Sequence, residues 1–262
     1  MNLVTKMNKN NKIIMDGGIF IHILILGQDP RYLILERELK NKYKVDLKEE
    51  LNKDIDISLY DIIILPMKGI IDNYLIEILK RSKETVTIYT GLKNNLEDIN
   101  REVISFLDDN LIKKENDNIT VNGIIDYINN ISCNKICLLG FGNIGKKLYQ
   151  KIPDKIDSIG IIDQKDKTIL GELAFYTTDK AIMKQNINKS DIIINTVPNN
   201  IITEDICYNL KTPILDIASS PYGISKEVIN KYNLNYYLYS GIPGKYDPER
   251  AGKILLHKIK LR

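Results

Sequence analysis

A short β-branched run that ends in Gly, Pro or a small polar residue recurs along the chain. No other feature constrains the fold as strongly. The runs are IFIHILILG, DIIILPM, VTIYTG, KICLLGFG, IGIID, DIIINTVP, PILDIAS and NYYLYSGIPG. Their apolar positions are nearly continuous, as expected of parallel strands buried on both faces. Stretches of helical character lie between them, among them Arg31 to Asn41, Asp72 to Ser82 and Gly145 to Lys151. Strands alternating with helices predict an α/β chain with doubly wound parallel sheets. The pattern also repeats on a larger scale: ILILGQDPRYLILEREL followed by SLYDIIILPM parallels CLLGFGNIGKKLYQKI followed by KSDIIINTVP. The 262 residues therefore read as two such domains. Residues 1–18 form a flexible tail in this reading, with domains at 19–120 and 121–262. The polar stretch Leu107 to Thr120 marks the boundary, and a short helix from Val121 to Asn130 follows it. Asp247 and Pro248 cap and open a basic C-terminal helix assigned to the second domain.

The second domain carries Gly140-Phe141-Gly142-Asn143-Ile144-Gly145, a G-x-G-x-x-G match. Alone the pattern is weak; here an apolar strand precedes it and a helix-compatible segment follows. Gly140 permits the tight turn, Gly142 lets backbone approach a pyrophosphate, and Gly145 allows close helix–strand packing. The helix N-terminus supplies N–H donors for the anion. The segment therefore predicts a Rossmann domain binding a nicotinamide dinucleotide. The 19–120 domain then reads as a flavodoxin- or Rossmann-like substrate domain.

Asp163 ends the next strand, where a ribose-binding carboxylate is expected. It would accept from the 2′-hydroxyl and repel a 2′-phosphate, favouring NAD over NADP; Lys165 and Lys167 pull the other way. The competing reading is an Asp that merely opens the following turn. Asn195-Thr196-Val197-Pro198 follows DIII, and Ala218 follows PILDI, both at strand ends that can line the cofactor. Ser219, Ser220, Pro221 and Tyr222, then Gly241, Pro243, Gly244 and Lys245, end the last two strands on the same edge. They are expected to contact substrate beside the nicotinamide, although Pro and Gly are also ordinary loop punctuation. In the first domain Arg31 can bind a substrate carboxylate bidentately, unless it is simply solvated. Thr90 and Gly91, with Pro66-Met67-Lys68, can close the same cleft.

Composition excludes several classes. A net charge of +3 from 37 basic and 34 acidic residues shows no dominant basic stripe, which argues against a nucleic-acid binder. No run approaches the ~20 apolar residues a membrane-spanning helix needs. Cys133, Cys137 and Cys207 lack CxxC spacing and read as free, half-buried thiols of a reducing cytosol. His22 sits inside a strand pattern and reads as packed, whereas His257 in the basic helix reads as solvated. No metal spacing or nucleophile–base order emerges, and hydride transfer needs positioning more than a nucleophile.

The motifs LLGFGNIG, DIIINTVPNNIIT, PILDIASSPYG and SGIPGKYDPERAGKIL resemble the dipicolinate synthase A-subunit family. The likeness continues through ILGQDPRYLILEREL, SLYDIIILPM, TIYTGL and ITVNGII. It implies oxidation of 4-hydroxy-tetrahydrodipicolinate, or its dehydrated form, to dipicolinate with NAD or NADP. It also implies a flavoprotein-like B subunit as partner, in the cytoplasm of a sporulating mother cell; a homo-oligomer is compatible. The chain departs from the family at Ser220, where a basic residue is expected, and at Tyr222, where the family has glycine. It departs again at Pro248-Glu249-Arg250-Ala251-Gly252 and Thr120-Val121-Asn122-Gly123. Lys245 or Arg250 are candidates to replace the missing cations. Asp163-Gln164 also stands where the family carries a small residue and an arginine, a pair that reads phosphate. The alternatives are a related dehydrogenase of another small carboxylic acid, or a non-catalytic dinucleotide-binding regulatory protein.

Overall fold

The computed structural model describes residues 6–7, 13–15, 18–19, 21–51, 55–67, 71–93, 96–163, 174–177 and 180–260. Most of the expected tail lies outside them. Its described parts, β1 (Lys6–Met7), β2 (Ile13–Met15) and β3 (Gly18–Ile19), pair antiparallel. The chain, tail included, divides into two units, the first comprising 1–115 with 247–262 and the second 116–246.

The first unit contains β4 (His22–Leu26), α1 (Pro30–Lys40), β5 (Lys44–Lys48), β6 (Ile62–Ile64), α2 (Asn73–Leu79), β7 (Thr87–Thr90) and β8 (Glu102–Ser105). All strands pair in parallel in the order β5-β4-β6-β7-β8, a flavodoxin-like winding. Residues of β4 alternate between two cores. Ile23 and Ile25 join Tyr32 and Leu35 of α1, while Leu24 and Leu26 join Ile63 and Leu79 on the other face. Burial on both faces explains why this strand is apolar throughout. Strands β5 and β8 were not legible, because KVDLK and EVIS are edge segments with polar residues. His22 is packed at the start of β4, as expected. Its Nε2 lies 2.8 Å from Asp46 Oδ2, an oxygen that also accepts from the Tyr60 hydroxyl at 2.9 Å.

Burial alone would raise the Asp46 pKa, but the bonds from Tyr60 and His22 outweigh it and hold it below the ordinary 3.8. A carboxylate depressed in the folded state stabilises fully above its unfolded value and loses that contribution as pH falls through its folded value. Asp46→Asn should therefore flatten the loss of first-unit stability below about pH 4. Urea midpoints measured from pH 2 to 6 would show this, and parallel wild-type and variant profiles would refute it.

Helix α3 (Asn110–Asn129) corrects the expected linker and short helix. The polar stretch up to Thr120 is helical because Asp109 Oδ1 accepts from Leu111 and Ile112 N–H groups and no Gly or Pro intervenes before Gly123. The division between the units still falls within that stretch, after Glu115.

The second unit continues with β9 (Lys135–Leu139), α4 (Asn143–Gln150), β10 (Ser158–Ile162), β11 (Ala174–Thr177), α5 (Lys180–Lys189), β12 (Ile192–Asn195), α6 (Glu204–Cys207), β13 (Ile214–Asp216), α7 (Lys226–Tyr232), β14 (Tyr236–Leu238) and α8 (Ile242–Tyr246). Its six parallel strands run β11-β10-β9-β12-β13-β14. This is the Rossmann order, with the reversal between β9 and β12. Ile136 and Leu138 face α3 and α4, while Cys137 and Leu139 face the opposite helix layer. The three cysteines are free but fully buried rather than half-buried, and burial pushes the Cys137 thiol up to about 12.

Helix α9 (Pro248–Leu256) is capped by Asp247, whose side chain accepts from Arg250 N at 3.0 Å. It belongs to the first unit, not to the nucleotide domain to which the sequence reading assigned it. Leu255 and Ile259 enter the first core, and Gly252 lies against Ile34 and the Arg31 carbonyl of α1. No described helix is long and apolar enough to cross a membrane.

Candidate functional site

The glycine loop joins β9 to α4 at the reversal of strand order. Gly140 has φ +93°, and a Cβ there would lie 2.5 Å from Thr196 Oγ1 and 2.6 Å from Val197 Cγ2. Gly145 is as constrained: a Cβ would sit 2.3 Å from the Gly140 carbonyl oxygen. Gly142 differs, because a Cβ there would meet nothing within 4 Å. Two glycines are therefore required by the protein itself, whereas Gly142 borders open space. It is also the N-cap of α4, and no side chain caps that end. The N–H groups of the first turn and the positive helix terminus could cradle a phosphate group; Asn143 is exposed and Ile144 half-buried in that turn. Phe141 instead turns into the core.

Asp163 follows β10, the neighbour of β9, and its Oδ2 accepts from the Phe141 N–H at 2.7 Å. It is thus more than the opener of a turn, since it holds the glycine loop. A carboxylate fixed there also suits a ribose hydroxyl. Gln164, Lys165 and Lys167 lie outside the described residues.

The ends of β12, β13 and β14 meet in one buried network. Asn195 and Asp216 are register partners on β12 and β13, both fully buried. Asn195 Nδ2 donates to Asp216 Oδ1 at 2.9 Å and to the Val197 carbonyl at 3.0 Å, and its Oδ1 accepts from Val197 N–H. Its amide is therefore engaged within the protein, which corrects its reading as a cofactor-lining group. Asp216 also accepts from Ala218 N–H at 3.0 Å, Gly223 N–H at 2.8 Å and the Tyr236 hydroxyl at 2.9 Å. Burial, then the hydrogen bond to Asp216 and its charge, pushes the Tyr236 phenol well above its ordinary range. Gly223 is required here, because a Cβ would lie 2.3 Å from Asn195 Nδ2. The sequence reading places Asp216 and Gly223 in the strand-end loop beside the nicotinamide but gives neither them nor Tyr236 a role of its own. The available signal was a charged residue closing the buried run PILD, which needs several donors to be tolerated.

Thr196 and Val197 buttress the glycine loop: the Thr196 hydroxyl donates to the Leu139 carbonyl at 3.0 Å. Pro198 is exposed, and Ala218 is buried. Ser219, Ser220 and Pro221 are exposed on the loop after β13, joined by a cis Ser220–Pro221 bond. Tyr222 takes φ +70°, a conformation costing roughly 1–2 kcal/mol for a residue with a side chain. The glycine of the resembled family at this position is explained by that angle. Gly241 has φ +71°, and the expected loop beyond it is helix α8, which contains Pro243, Gly244 and an exposed Lys245. Proline is tolerated there because the first helical turn needs no N–H donor from it. Gly123 on α3 admits α8, since a Cβ would lie 2.7 Å from Ile242 Cγ2.

The candidates in the first unit fare differently. Arg31 is 4% exposed and donates through Nε and Nη2 to the two Asp29 oxygens at 2.8 and 2.5 Å. It is neither solvated nor an open carboxylate clamp, because its fork already holds a carboxylate. The Thr90 hydroxyl is buried and donates to the Leu92 carbonyl. A Cβ on Gly91 would lie 2.0 Å from the Met67 carbonyl oxygen, so that glycine serves strand-end packing. Pro66 is half-buried and Met67 buried, while Lys68 lies outside the described residues.

No protein-family model matches the chain. The A subunit of dipicolinate synthase from Bacillus subtilis (strain 168) is 27% identical over 200 residues, covering 69% of this chain and 66% of that protein. The matched region thus spans just under two thirds of that relative's length. The crystal structure of the corresponding A subunit from Bacillus halodurans superposes with a TM-score of 0.71 at 21% identity, covering 91% of this chain and 96% of the other. NAD-dependent formate dehydrogenase from Staphylococcus aureus, in complex with NAD, shares the fold at a TM-score of 0.55 and 12% identity, over 91% and 94% of the two chains. In sequence the chain is similar to the A subunit of dipicolinate synthase, and it shares the fold of such subunits.

Proposed function

We propose that the chain is an NAD(P)-dependent oxidoreductase that, like its relatives by name, serves dipicolinate synthesis. The reaction is oxidation of 4-hydroxy-tetrahydrodipicolinate, after loss of water, to aromatic dipicolinate. One hydride and one proton leave the ring in that oxidation, and bound nicotinamide would supply the hydride acceptor. The observation that carries the reading is the division of labour among three glycines: Gly140 and Gly145 close on protein atoms, while Gly142 faces open space at an uncapped helix start. The NAD held by the Staphylococcus aureus formate dehydrogenase supports the cofactor class. Gly140 through Gly145, Asp163, Thr196, Val197, Pro198 and Ala218 would border the dinucleotide. Ser219 to Tyr222, Gly241 and Lys245 would border the substrate. A flavoprotein-like B subunit, in the cytoplasm of a sporulating mother cell, completes the proposal.

The purified chain, incubated with the B subunit, hydroxy-tetrahydrodipicolinate and either cofactor, should form dipicolinate. No dipicolinate with NAD or NADP would overturn the reading. A second reading, a dehydrogenase of another small carboxylic acid, is favoured by Ser220 in place of a cation and by Arg31 being held by Asp29. Asp163 gives a separate test of cofactor choice. Losing a charged acceptor to a ribose hydroxyl costs ~1.5–3 kcal/mol, so Asp163→Ala should weaken NAD at least about tenfold. Binding of NADP should change less, narrowing the ratio between the two. An unchanged ratio in calorimetric titrations would remove Asp163 from cofactor selection.

A further inference from the structure

We propose that Asp216 is a positioning residue for the reactive half of the dinucleotide, acting through the loops it holds rather than by touching the ligand. The inference rests on the oxidoreductase reading above. A Rossmann sheet binds a dinucleotide as two halves, one on each side of the strand-order reversal. Here β9 to β11 form the half that carries the glycine loop, and β12 to β14 form the other. Both loops that border this second half end on Asp216. Its Oδ1 takes the Ala218 N–H and the Asn195 amide, which in turn grips both the N–H and the carbonyl of Val197. Its Oδ2 takes the Gly223 N–H and the Tyr236 hydroxyl, closing the loop 219–223 from its far end.

The carboxylate is fully buried, and all four of its partners are neutral donors. Two of these are backbone N–H groups and one is an amide, so three donate obligatorily. An acceptor-only side chain is therefore demanded at position 216. Asn is nearly the same shape but would bring an NH2 group against these donors, leaving a buried N–H of the loop without an acceptor. The glycine loop receives no bond from Asp216 itself, and the Thr196 hydroxyl ties its buttress to the Leu139 carbonyl independently of Asp216, so the phosphate cradle should survive the change.

The test compares ADP, which lacks the nicotinamide ring and its ribose, with NADH on the full-length chain by calorimetry. Asp216→Asn should bind ADP within about threefold of wild type and NADH at least about tenfold more weakly, with circular dichroism unchanged. Tyr236→Phe removes one donor and keeps the acceptor, so NADH should weaken about threefold, again selectively. If Asp216→Asn does not fold, this second variant decides. Equal weakening of both ligands would mark a general structural role and overturn the proposal, as would unchanged NADH affinity. A wild-type chain that binds neither ligand would instead overturn the oxidoreductase reading, and the inference with it.

Discussion

Gly142→Val should fold like the wild-type chain and lose most of its affinity for NAD(H), whereas Gly145→Ala should damage the fold itself. The contrast follows from what each added side chain meets. At Gly142 a Cβ finds no heavy atom within 4 Å, and the residue is exposed. Its backbone, at φ −74°, ψ −158°, is extended and open to any residue, so valine there costs the fold little. The same branched side chain would occupy the space through which a pyrophosphate reaches the α4 N–H groups. Losing two charge-assisted hydrogen bonds at ~1.5 kcal/mol each weakens binding by roughly a hundredfold. At Gly145 the added methyl would stand 2.3 Å from a carbonyl oxygen of the adjoining strand end, a backbone atom that cannot swing aside. Overpacking of this kind costs about 1–3 kcal/mol, read as a lowered melting temperature. Calorimetric titration and thermal melts of the two variants test both halves. A Gly142→Val chain that binds NADH normally would remove the pyrophosphate from this loop and leave the glycine motif a mere turn.

The same contrast shows how far sequence alone reaches. The glycine loop was legible because its three glycines answer three different local demands, each visible in spacing and flanking hydrophobicity. The central strands were legible because burial on both faces leaves an unbroken apolar run such as Ile136 to Leu139. Edge strands such as Lys44–Lys48 were not, since one open side relaxes that demand. Arg31 was misread because sequence shows its charge but not the geometry by which Asp29, two residues earlier, grips it through two oxygens. Asn195 was misread for a related reason: an amide at a strand end looks available until its partner on the next strand is known. Asp216 lies 21 residues away, and only the β12–β13 register brings the two together.

Removing residues 247–262 should abolish protection of the first unit's strands while leaving those of the second. Sequence order places this helix after the last strand of the nucleotide domain, and a reading from sequence assigns it there. Its buried residues say otherwise. Leu255 and Ile259 pack in the core that contains Ile23, Ile25, Tyr32 and Leu35, and Lys260 N–H donates to the Tyr89 hydroxyl at 2.7 Å. Exposing the two aliphatic side chains costs about 1.5–3 kcal/mol each, and the stripped face of α1 adds Leu39 and Tyr32. A domain's whole stability is about 5–15 kcal/mol, so the deletion removes most of that margin. The ion pairs Arg37–Glu249, Arg250–Glu115 and Lys258–Asp109 add to the same unit; reached by solvent on at least one side, they add little. Leu255→Ala is the graded version, expected to cost about 2–5 kcal/mol in the first unit's transition. Hydrogen exchange followed by mass spectrometry separates the outcomes strand by strand. Amides of β4, β6 and β7 should exchange rapidly in the truncated chain, while those of β9, β12 and β13 keep their wild-type protection. The opposite pattern would return the helix to the nucleotide domain, because a helix stabilises the core into which its own leucines are packed.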